Sequence, residues 1–290
     1  MSRPRVTVLG TCRVYDPFAI LAQRGAIEVS NAGVYGFTHY TKETLQQLRV
    51  MHGELAIPAE LQTYVTHHQL PTGPDGNLAT AENRLAQTDL LVVEVSSLKE
   101  IAYRGFYLQI NRLRNELVGE REGLQRWWKR LYDKESERGP ERRERDEFLT
   151  ADLSPLERDL VAGIEVQLQG AESVAADMEA IAAYFDGPIL WVSHFDTVGL
   201  KSGVEIPIRK QLVRAVEAGA AGLGQPFFNP RAAVEEFGLP EALEDMAHYK
   251  PEFQAELASR FEAMLPAWLA SGSAASSSST RSENALPSGN

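Results

Sequence analysis

A chain of 290 residues, 43% apolar and 24% charged, carries enough apolar material to bury a sizeable core in one large domain or two small ones. Its 29 basic against 40 acidic residues give a formal charge of −11, a field that repels phosphate backbones and anionic bilayers. Neither nucleic acid nor a membrane is therefore an expected partner. One cysteine excludes an intrachain disulfide framework. The opening MSRPRVTVLG lacks the apolar run of a secretory signal, and no stretch is long enough to span a bilayer, so the expected location is cytoplasmic.

In chain order, the first predicted element is a buried strand over residues 5–9 (RVTVL), ending in Gly10-Thr11-Cys12-Arg13. Residues 89–95 (DLLVVEV) and 188–193 (PILWVS) read as two more strands. Their unbroken apolar character suits a parallel sheet covered on both faces. Helical spacing places Tyr103, Phe106, Tyr107, Ile110, Leu113 and Leu117 on one face, and Val174, Met178, Ile181, Ala182 and Phe185 on another. Residues 99–170 show no strand pattern and dense charge of both signs, and are expected to be a helical insertion. Within it, Trp127, Trp128 and Tyr132 either anchor the insertion or cover a site, anchoring being the commoner role of such clusters. A last amphipathic helix carries Phe253, Leu257, Phe261 and Leu265, with Pro251 at its start. From residue 271 the chain is serine-rich and almost without large apolar groups, which predicts a disordered tail over 271–290. Alternating strands and helices point to a doubly wound α/β domain over 1–270.

Two short patterns carry chemistry. Cys12 follows a parallel strand and opens the next helix, where open α/β sheets place their ligands. Amides at a helix start favour an anion there, so a lowered thiol pKa is expected. A lone cysteine is otherwise most often a small buried hydrophobe. Asp245-Met246-Ala247-His248 stands just before the last helix. Its spacing lets Asp245 hold Nδ1 of His248 while Nε2 faces a nucleophile, although many D-x-x-H pairs only cap a helix.

Together, a strand ending in G-x-nucleophile and a D-x-x-H opening the last helix resemble the SGNH or GDSL hydrolase family. The stretch DMAHYKPEFQAELASRF is similar to that family's final block, and Asn31-Ala32-Gly33 to its second. Cys12 stands where the family usually has serine, as in a GSCFA-like subgroup and in related enzymes of bacterial capsule polysaccharide biosynthesis. The resemblance implies a three-layer, flavodoxin-like parallel sheet and a Cys12–His248–Asp245 triad. It also implies that Gly33 donates to the oxyanion. The family's third block, Gly-x-Asn, is replaced here by Glu94-Val95-Ser96-Ser97-Leu98, so Ser96, Ser97 or an amide beside them must supply the missing donor.

The reaction expected from this resemblance is acyl transfer or ester or thioester hydrolysis through an acyl-Cys12, with an acetyl group on a sugar as one substrate. Acyl-CoA is the candidate co-substrate and no tightly bound cofactor is expected. The partners are then a small molecule or a glycan. A non-catalytic SGNH-like module that binds a glycan or a protein is the competing expectation, and the absent asparagine favours it. Arg13 is a candidate for a substrate carboxylate or phosphate, or else an exposed salt bridge. His194, just past the third strand, is a candidate substrate or acid/base group, or a satisfied loop histidine. His39 is a weaker candidate of the same kind. Adjacent His67 and His68 cannot act as a zinc pair, and no spacing in the chain supports a metal site.

Overall fold

A computed structural model describes residues 2–30, 37–66, 84–133 and 152–276. At its centre is a five-stranded sheet in the order β2-β1-β3-β7-β8, every pair parallel. Its strands are β1 (Arg5–Leu9), β2 (Glu28–Val29), β3 (Leu90–Val95), β7 (Ile189–Ser193) and β8 (Phe227–Phe228). Val6 pairs with Leu90 and Leu9 with Val93, while Leu91 pairs with Ile189 and Val95 with Ser193. The order matches the flavodoxin-like arrangement, with its switch point between β1 and β3.

The strands are largely apolar because both faces are covered. Val6, Val8, Leu90, Val92, Leu190 and Val192 face one side, where helices α1 (Cys12–Gln23) and α8 (Pro251–Ser276) supply Phe18, Leu21, Phe253, Leu257 and Phe261. Leu9, Leu91, Val93, Val95, Ile189 and Trp191 face the other. There they meet Leu48 of α2 (Thr41–Met51), Met178 and Ile181 of α5 (Ala171–Ala182), and Val216 of α6 (Pro207–Gly222). The period of two along each strand divides its side chains between two helical layers. This is the expected three-layer architecture.

Residues 99–170 differ from the expected all-helical insertion. β4 (Lys99–Tyr103) pairs antiparallel with β5 (Phe106–Tyr107) and with β6 (Glu165–Leu168). The turn Arg104-Gly105 between β4 and β5 has φ of 50° and 82°, positive at both residues as a tight primed hairpin requires. Tyr103, Phe106 and Tyr107 therefore lie on a hairpin rather than on one helix face; the helical part begins only at Ile110. Two further helices, α3 (Glu122–Trp128) and α4 (Pro155–Gly163), complete a separate apolar cluster. Trp127 and Trp128 are buried in it beside Leu113, Leu160 and Val166, so they anchor the unit. A short α7 (Arg231–Phe237) precedes the Asp245–His248 loop.

The last helix continues to Ser276, beyond the expected border at residue 271. Residues 277–290 of the expected tail lie outside the described residues. Among the described residues, no helix is long and apolar enough to cross a membrane.

Candidate functional site

At the carboxyl ends of β1, β3 and β7 lies a cavity of about 430 Å³. Each strand delivers part of its wall: Cys12 and Arg13 after β1, Ser96 and Ser97 after β3, His194 after β7. The loop before α8 adds Ala247 and His248, α6 adds Arg209, and the insertion adds Lys99, Asn111, Arg114 and Tyr132. The structure thus brings together Cys12, Arg13, Ser96, Ser97, His194 and His248 from four separated places in the sequence. Asp245 stands behind His248. Gly33 lies outside the described residues.

The turn that presents Cys12 is built on a residue not singled out from the sequence. Glu94, 1% exposed, follows Leu90 and Val92 on the α1 face of β3. Its carboxylate accepts the Thr11 amide at 2.7 Å and the Thr11 hydroxyl at 2.6 Å. Arg13 Nε and Nη2 donate to its other oxygen at 3.0 and 2.9 Å. A Cβ on Gly10 would stand 2.6 Å from Glu94 Cβ, so only glycine lets the strand end pass this close. The signal was present in LLVVEV, where one acid interrupts a buried strand.

Arg13 is accordingly neither an exposed salt bridge nor free for a substrate. Nη1 donates to Ala247 O at 2.9 Å, so the guanidinium ties the start of α1 to the loop that carries His248. Arg209 holds the same loop from the other side, Nη2 donating to Met246 O at 2.7 Å. Within the loop, Asp245 accepts the amides of Ala247 and His248 at 2.6 and 2.8 Å. His248 Nδ1 sits 3.0 and 2.9 Å from the two Asp245 oxygens, which leaves Nε2 as the outward nitrogen. Burial raises the Asp245 pKa, but the hydrogen bonds from the His248 ring and the two amides outweigh it and the net shift is downward.

Two expectations about the site change. The Cys12 thiol pKa is raised, not lowered: burial dominates, and the nearby charge of Arg13 and the Arg13 amide offset only part of it. The thiol is the resting form at neutral pH. Ser96 and Ser97 line the cavity, yet their amides both donate to His39 O, at 2.7 and 2.9 Å, and Ser96 Oγ points to the same carbonyl. Ser97 Oγ is engaged with the backbone of Lys99. These donors are occupied by the protein itself.

His194 is buried, and burial followed by the charges of Arg13 and Arg209 holds its pKa well below the usual value. Nδ1 lies 3.1 Å from Phe195 O, which can only accept. The proton therefore sits on Nδ1, and Nε2 is a hydrogen-bond acceptor. His39 also lines the cavity, its Nδ1 3.6 Å from the buried Glu43 carboxylate. Among the described residues, no group of His, Cys, Asp or Glu side chains could hold a metal ion.

Comparison with known proteins bears on this geometry. The family described as the TviD N-terminal domain matches residues 4–263, which takes in the sheet and the cavity. The Vi polysaccharide biosynthesis protein TviD of Salmonella typhi is 27% identical over 256 residues, covering 86% of this chain. The chain spans 30% of that relative's length.

Proposed function

From its membership of the TviD N-terminal domain family, together with the cavity between Cys12 and His248, we propose that this chain is an acyltransferase of polysaccharide biosynthesis working through an acyl-Cys12 thioester. The observation that carries the reading is the meeting of a helix-start cysteine with an Asp-oriented histidine on one cavity. Fold alone would not name a reaction.

The raised thiol pKa gives His248 a definite task. Because Cys12 rests as a thiol, a proton must leave it as the sulfur attacks, and Nε2 of His248 receives it. The sulfur–carbon bond forms while the donor's carbonyl opens to an oxyanion at the first turn of α1, where the Cys12 amide is the proposed donor. Collapse expels the donor's alkoxide or thiolate, which takes the proton back from His248. A hydroxyl of the acceptor, deprotonated by the same nitrogen, then attacks the thioester and regenerates the Cys12 thiol. A thioester donor such as an acyl-CoA makes the first exchange nearly thermoneutral. The sugar acceptor rests on the relative's name.

Mass measurement of the intact protein after incubation with acetyl-CoA tests the proposal. An acetyl adduct on Cys12, absent from Cys12→Ala and slowed in His248→Ala, is the expected result. No adduct with any acyl-CoA or activated ester overturns it. The occupied donors at Ser96 and Ser97 favour a second reading, an SGNH-like module that binds a glycan without turnover. That reading predicts glycan binding that persists unchanged in both variants.

A further inference from the structure

The cavity wall is rich in cationic side chains. Arg13, Lys99, Arg114 and Arg209 line it, and no Asp or Glu among the described residues does. Yet the chain as a whole bears −11. Arg13 is neutralised by Glu94 at 2.9 Å. Arg209 has no such partner: it makes no ion pair with a described carboxylate, and its guanidinium lies over the Phe195 ring at 5.0 Å. Nη1 is enclosed and has no hydrogen-bond partner. Burial and the charge of Arg13 bring its pKa down to about 10, as expected for a cation held without a counter-ion. Arg114, which lines the same cavity, is exposed and pairs with no described carboxylate.

A half-buried guanidinium with an enclosed, unpaired nitrogen and no carboxylate is costly, because its desolvation is not fully offset within the protein. Arg209 cannot lose its proton near neutral pH, so an incoming anion is what completes its coordination. We propose that the Arg209–Arg114 side of this cavity binds an anionic oxygen group of the substrate, a carboxylate or a phosphate. The inference builds on the acyl-transfer reading by naming the chemistry of its substrate. A phosphate would belong to an acyl donor such as a coenzyme A ester, and a carboxylate to an acidic sugar acceptor.

Calorimetric titration of the full chain carrying Cys12→Ala tests this without turnover. The probes are adenosine 3′,5′-bisphosphate, glucuronate and glucose, the last two differing by one carboxylate. At least one anion is expected to bind, more weakly as salt rises, while glucose does not. Arg209→Gln is expected to weaken anion binding about tenfold or more, and Arg114→Gln about threefold, as loss of charge-assisted hydrogen bonds implies. Whichever anion binds identifies the source. If neither binds better than glucose, or if both substitutions leave affinity within about twofold in folded protein, the proposal fails. Should Arg209→Gln not fold, the exposed Arg114→Gln and the salt dependence decide. Anion binding without any acyl adduct on wild-type Cys12 would sink the acyl-transfer reading and leave the anion site standing.

Discussion

Two carboxylate contacts flank the cysteine, with the same contact distance and opposite surroundings. Arg13 and Glu94 meet at 2.9 Å with side chains 9% and 1% exposed. His248 and Asp245 meet at 2.9 Å with 55% of each side chain exposed. Burial, not separation, decides what each pair can do. In the first, neither charge can be removed without stranding the other, and the Thr11 amide loses its acceptor as well. The pair fixes the backbone around Cys12. In the second, water screens both partners, so the pair contributes little to stability and its ring nitrogen is open to exchange a proton. A rigid seat and an accessible base are the two properties that the proposed thiol nucleophile would need.

The sharpest test of this contrast is Glu94→Ala. It should lower unfolding free energy by about 3–5 kcal/mol, read from the denaturation midpoint, since Arg13 is left buried and unpaired. A loss under about 1 kcal/mol would put both pairs in the same class. Asp245→Asn should do the reverse. Stability should move by less than about 1 kcal/mol, while turnover in the proposed reaction falls on the order of 10²-fold as the His248 tautomer is no longer set. Unchanged turnover would reduce Asp245 to a cap for the Ala247 and His248 amides. Gly10→Ala should cost about 1–3 kcal/mol, because the new methyl group meets both Glu94 and Val14. A neutral melting temperature would mean that the strand end can retreat. The smallest effect concerns the thiol. Its protonated form is favoured by burial, so alkylation of Cys12 by iodoacetamide should be slow at neutral pH. The rate should climb only as pH passes above the ordinary thiol value of about 8.5. A midpoint below that value would mean a preformed thiolate and a different role for His248.

The three central strands and the last helix were legible because their signals are local. Largely apolar runs mark β1, β3 and β7, and Phe253, Leu257, Phe261 and Leu265 repeat at helical spacing and are all buried. The edge strands β2 and β8, two residues each, are too short to leave a pattern. The hairpin of β4 and β5 was missed because its aromatics fall at intervals that also fit a helix, and only the positive φ at Arg104 separates the two. At the site, Cys12 and His248 stood out by residue type and place. Arg13 could not be read correctly because its partner lies 81 positions away and is recognisable only by its burial. For Ser96 and Ser97, which do line the cavity, the obstacle is different. Their partner is the backbone carbonyl of His39, which has no side-chain signature at all.

The insertion leaves the central sheet and returns to it at nearly one point. Lys99 pairs with Leu168 across β4 and β6, and the Gln169 amide donates to Leu98 O at 2.8 Å. The segment's first and last residues are thus clamped together independently of what lies between them. Lengthening or rebuilding the interior changes a closed loop's entropy only slowly, and displaces neither β3 nor α5. Lys99, Asn111, Arg114 and Tyr132 all belong to this clamped segment, whereas Cys12, Glu94 and His248 do not. The architecture therefore fixes the two ends of the insertion beside the sheet, and its body is held by Tyr40 and Gln46 near α2, so any change in its length is absorbed away from the strands that carry Cys12 and Glu94.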